Sequence, residues 1–145
     1  MSIIVEFFAA PDDASAAAVL RTGPRGAFES LSFGNFDAEE AVVEWECLLV
    51  GGSSADELLD AGEPRLVAGQ DDDGCVVLAL SPRLSAALAE AEPSALKGAA
   101  AAWSAQRAED GEVIDVEIAE AILSDLSALA GSARHRDHGV YCWVA

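Results

Sequence analysis

The stretch Ser2–Ala9 reads SIIVEFFA, and apart from Glu6 its consecutive residues after Ser2 are β-branched, aromatic or small and apolar. Such a run shows no polar alternation, so it predicts a strand buried on both faces, ended by Pro11. The run Val140–Ala145, VYCWVA, has the same character. Val140, Cys142 and Val144 alternate there with Tyr141, Trp143 and Ala145, and nearly all are apolar, which predicts a second strand covered on both sides. Two strands of this kind need helices to cover them, and the intervening chain supplies helical patterns.

Asp12 or Asp13 caps a short alanine-rich helix predicted to stop at Gly23-Pro24. Arg25 to Asn35 mixes Phe28, Leu31 and Phe33 with Gly and Ser and reads as an ordered loop. Asp37 then opens a helix, with Glu40 three residues on and Glu39 adding favourable charge to the first turn. Its apolar stripe is Ala38, Ala41, Val42, Trp45, Leu48 and Leu49, and Gly51-Gly52 ends it. Ser54 and Glu57 form a capping box for a short helix ending near Gly62. Arg65–Gly69 and Cys75–Leu80 read as a strand pair joined by an Asp/Gly-rich link. Ser81-Pro82 sets an N-cap and a proline at the first helical position. That helix runs to about Ala91, and Ser94 begins the next, with Leu96, Ala99, Ala100 and Trp103 on one face. Asp115 caps the longest helix, with Ala119, Ile122, Leu123, Leu126, Leu129 and Ala130 as its stripe. Arg134–Gly139 is a polar turn. The order predicts a single α+β domain over residues 1–145, a small mixed sheet of about four short strands covered by helices.

Composition narrows the partners. Twenty-six acidic residues stand against eight basic ones, a formal net charge of −18, while 52% of the chain is hydrophobic. Thirty alanines favour helices and add little core volume, so bulky packing falls to the three Trp, the five Phe and the larger aliphatics. Nucleic acid and anionic membranes both require a basic surface, so neither is an expected partner. A basic protein is compatible with this charge. Cys47, Cys75 and Cys142 are odd in number and lack CxxC spacing, as expected of reduced thiols in the cytoplasm. Met1–Ala10 has no basic leader segment, and no apolar run reaches membrane-spanning length.

Few residues suggest chemistry. Ser94-Ala-Leu-Lys97 has the S-x-x-K spacing that sets a lysine beside a serine nucleophile, but companion motifs are absent and Ser94 has a sufficient role in starting a helix. His135 and His138, with Asp137 between them and Cys142 beyond, offer ligand types suited to zinc or nickel. Arg134 and Arg136 interleave with them and disfavour a cation, so no metal is expected. Asp71-Asp72-Asp73-Gly74 carries hard oxygen ligands without the alternation of a calcium loop and reads as a solvated turn. Glu44 and Glu46 flank Trp45 but stand two apart on a helix, so they do not form a carboxylate pair. No cofactor is implied.

The segment order is similar to the YfbM-like family of small uncharacterised bacterial proteins. The landmarks are the MSII start, the Trp45 helix closing with Leu48-Leu49-Val50-Gly51, Gly62-Glu63-Pro64, Leu80-Ser81-Pro82 opening a helix, and a long acidic helix before a terminal strand. Glu112-Val113-Ile114-Asp115 departs from the Ile-Tyr-Pro-like segment of such proteins, and Ser2 from their glycine. The resemblance implies an α+β fold and supplies no catalytic residues. The functional expectation is a non-catalytic, inhibitor- or immunity-like module that meets a basic protein partner through Glu39, Glu40, Glu44, Glu117 and Glu120. The alternative is a small-molecule-binding protein or enzyme with a pocket near Trp45 or Trp103.

Overall fold

The computed structural model describes residues 4–34, 36–52, 54–69 and 74–145. The start of the first predicted strand and the Asp71–Asp73 turn therefore lie outside the described residues. The elements run β1 (Ile4–Ala10), α1 (Asp13–Ala17), β2 (Ser30–Gly34), α2 (Ala38–Leu49), α3 (Ala55–Asp60) and β3 (Arg65–Gly69). They continue with β4 (Val76–Ala79), α4 (Pro82–Glu90), α5 (Pro93–Glu109), α6 (Val116–His135) and β5 (Gly139–Val144).

The two apolar runs pair with each other at the centre. β1 and β5 lie antiparallel with Phe7 opposite Cys142 and Phe8 opposite Tyr141. Successive side chains on a strand face opposite sides, so each strand feeds two cores. Val5, Phe7, Ala9, Val140 and Cys142 join Leu78 and Leu80 under α2, α4, α5 and α6. Phe8, Ala10, Tyr141 and Trp143 join Val77 and Ala79 under α1 and the turn that carries Val19 and Leu20. Both runs are buried on both faces, as their sequences predict.

The sheet order is β2-β1-β5-β4-β3. Every pair is antiparallel, so the sheet is not mixed, and it has five strands rather than about four. The additional strand is β2, inside the segment that the sequence presents as a loop. Leu31 and Phe33 alternate with Ser30, Ser32 and Gly34, a period of two that small polar residues conceal. Phe33 sits opposite Val5 on the larger core face, with its ring 6.0 Å from that of Phe7.

The helix starts follow their caps. Asp12, Asp37, Ser54, Ser81 and Asp115 each accept a backbone N–H from their own first turn, at 2.8, 3.1, 3.2, 3.0 and 3.3 Å respectively. α5 begins at Pro93 rather than Ser94, with proline in its first turn and no side-chain cap. α1 is shorter than predicted, and the chain reaches Gly23 through turns. Gly23 has φ +81°, and a Cβ there would meet Glu6 Oε2 at 3.2 Å and the Trp143 ring at 3.3 Å. Glycine is thus required by both backbone and space. Trp45 and Trp103 are fully buried and meet edge-to-face at 5.1 Å, with Phe36 against both.

Because β5 bridges β1 and β4, its loss would divide the sheet. Deleting Tyr141–Ala145 is expected to abolish cooperative thermal unfolding. A truncated chain that still melts sharply near the parent temperature would show that β5 is dispensable.

Candidate acidic docking groove

α2 and α5 turn Trp45 and Trp103 into the core, and the residues one helical face away line a groove. Arg107 lies four residues after Trp103, so the two share a face of α5 and the Arg107 stem is drawn into the protein. Its side chain is only 7% exposed. Four carboxylates meet it. Its Nη2 lies 3.1 Å from Glu40, 3.1 Å from Glu44 and 2.8 Å from Asp110, and Nη1 lies 3.6 Å from Glu112.

Glu44 is only 9% exposed. Although Arg107 is within ion-pair distance, Glu44 Oε1 has no hydrogen-bond partner among the described residues, and neither does Arg107 Nε. Burial pushes the Glu44 carboxyl above its usual range, Arg107 opposes this, and Glu40 and Asp110 reinforce it. Burial also works against the Arg107 charge, but Glu44 and Glu40 outweigh it and raise its pKa, so Arg107 stays protonated.

Around this pair α2, α3 and α5 enclose about 530 Å³. Seven acidic residues line it (Asp37, Glu39, Glu40, Glu44, Asp56, Glu109 and Asp110) against Arg107 alone. Leu59, 48% exposed, supplies an apolar part of the wall. Such a groove suits a cation with an apolar body.

The expected surface residues divide. Glu39, Glu40 and Glu44 come together here, whereas Glu117 and Glu120 sit on α6 and do not line the groove. Glu44 and Glu46 diverge as their spacing predicts. Glu46 is also buried, accepts a hydrogen bond from Ser81 Oγ and pairs with Arg83 at 3.4 Å. The pocket expected beside Trp45 and Trp103 is displaced, because both indoles belong to the core and line none of the cavities described here. Arg107 was not singled out in the sequence, although its spacing from Trp103 carries the signal.

Ser94 and Lys97 are exposed on the first turns of α5, away from the groove. His135 is exposed on the last turn of α6, His138 follows in the turn, and Cys142 is buried in β5 with its thiol pKa pushed up by burial. Among the described residues no group of three or more His, Cys, Asp or Glu is arranged to hold a metal ion. No helix of the described residues is long and apolar enough to cross a membrane. Comparisons with protein-family models, curated proteins and solved structures gave no match, so the resemblance to the YfbM-like family rests on its sequence landmarks.

Removing one member of a buried ion pair strands the other. Arg107→Met is therefore expected to cost about 3 kcal/mol in urea denaturation at neutral pH. Adding Glu44→Gln should recover most of that loss. The fold raises the Glu44 pKa, so between the unfolded and folded values the native state holds more protons and its stability falls as pH rises. Glu44→Gln should remove that part of the slope. Additive losses in the double variant would show that the two groups are not coupled.

Proposed function

We propose that the protein is a non-catalytic binding module whose α2–α3–α5 groove receives a basic segment of a protein partner. The observation that carries this reading is the acidic lining of the groove, in which seven acidic residues surround one nearly buried arginine. An arginine or lysine of a partner would donate to the exposed carboxylates Glu39, Glu40 and Glu109 while its aliphatic stem lies against Leu59. The net charge of −18 draws such a partner in at long range. Small acidic domains that block basic proteins work by this complementarity, and here the likeness is one of surface chemistry only.

The test uses a labelled peptide of alternating arginine and leucine, titrated by fluorescence anisotropy. Glu39→Gln/Glu109→Gln removes two charges from the groove, and Glu117→Gln/Glu120→Gln removes the same charge from α6. The groove pair should weaken binding about tenfold and the α6 pair no more than about twofold, with affinity falling as salt shortens the screening length to about 8 Å. Equal losses from the two pairs would mean that the acidity is diffuse, and the reading would fail.

A further inference from the structure

A second cavity, of about 540 Å³, opens at the end of the sheet where β4 runs into α4 and α6 returns into β5. It shares no lining residue with the acidic groove, and its charge is balanced. Glu63 and Asp137 line it together with Arg65 and Arg134, where the groove has seven acids to one base.

The wall formed by the end of α6 departs from how α2, α3 and α5 end. Gly51, Gly62 and Gly111 follow the C-caps of α2, α3 and α5 with φ of 77°, 86° and 86°. After α6 the equivalent residue is Asp137, φ 60°, the only non-glycine with positive φ among the described residues. The turn itself is ordinary, with Asp137 N–H donating to Arg134 O at 3.2 Å and His138 N–H donating to Ala133 O at 2.7 Å. Aspartate is among the few residues other than glycine that enter the left-handed region, and glycine would serve this turn with less strain.

The next residue, His138, has an Nδ1 that is closed to solvent and has no partner among the described residues. Arg134 reaches Glu90 through Nη1 at 3.1 Å and is 59% exposed, which leaves most of its donors available. Arg65 is further committed, with both Nη atoms on Asp13 at 2.6 and 3.1 Å. Tyr141 donates to the same carboxylate at 2.8 Å, and its phenol pKa is pushed up to about 12, mainly by burial and then by that bond. It is therefore a neutral wall residue. Between the two charge signs the lining is small and apolar, with Ala130 and Ala133 on α6 and Ala86 on α4.

We propose that this cavity binds a small zwitterion with an apolar body, of the free amino acid class. Asp137 receives the ammonium group, and Glu63 is the second acid of the lining. Arg134 receives the carboxylate. A simple anion would leave Asp137 and Glu63 opposing it, and a simple cation would leave Arg134 opposing it. This site is independent of the acidic groove, and either can fail without the other.

Three probes with the same ring test it on the full chain by calorimetric or NMR titration at neutral pH: phenylalanine, phenylpropionate and phenethylamine. Phenylalanine is expected to bind about tenfold more tightly than either singly charged compound. Arg134→Gln and Asp137→Gly should each weaken phenylalanine about tenfold. Asp137→Gly should at the same time raise the melting midpoint by roughly 2 °C, because it relieves the left-handed backbone. That opposition of affinity and stability separates a ligand contact from a structural role. The proposal is overturned if either singly charged compound matches phenylalanine, if none of the three saturates, or if either variant leaves its affinity unchanged.

Discussion

The antiparallel pairing of β1 with β5 is the constraint on which the other elements depend. Both strands are apolar on both sides, so neither face of their ladder can be left to water. Four helices cover one face and α1 with its following turns covers the other. Pairing residues 5–10 with 139–144 joins segments far apart in sequence, so the loop-closure entropy must be met before the central contacts form. The capped helices between them shorten the effective search. Each stabilises its own first turn, and α4 and α5 both pack on α6 to form a layer that the strands can meet.

The charge of this protein is managed unequally. Glu6, Glu44 and Glu46 are all buried, yet only two have adequate partners. Glu6 takes Arg25 Nε at 2.7 Å, and Glu46 takes the Ser81 hydroxyl and Arg83. Glu44 must share one guanidinium with Glu40, Asp110 and Glu112. A single positive charge divided among four carboxylates cannot offset the desolvation of the innermost one, which is why the Glu44 pKa rises despite a cation 3.1 Å away.

Much of the architecture was legible because it rests on local signals. SIIVEFFA, VYCWVA, the Ser81-Pro82 start and the α6 stripe each state period, face or boundary within a few residues. β2 was obscured because its exposed positions are Ser and Gly, residues that equally mark loops. Strand direction was not legible, since it follows from which strands become neighbours and not from any one segment. The groove was half legible. Glu39, Glu40 and Glu44 share a helix, but the partner that organises Glu40 and Glu44 comes from α5, 63 residues beyond Glu44 by position. Glu117 and Glu120 lie elsewhere because charge alone does not say which helix faces meet.

Unmet hydrogen bonds are informative here only by location. The Trp45 and Trp103 indole N–H groups are buried without hydrogen-bond partners among the described residues, as are Glu44 Oε1, Arg107 Nε and His138 Nδ1. The indoles face one another's rings in a filled core, at an edge-to-face distance of 5.1 Å, where aromatic contact compensates part of the lost hydrogen bonding. No ligand can reach them without dismantling the core. Glu44, Arg107 and His138 instead belong to residues that line voids, each in a wall where further polar side chains converge. The same defect is a packing compromise in the first setting. In the second, Glu44 and Arg107 answer each other's charge at 3.1 Å, and the atoms left without hydrogen bonds are closed to solvent behind the lining.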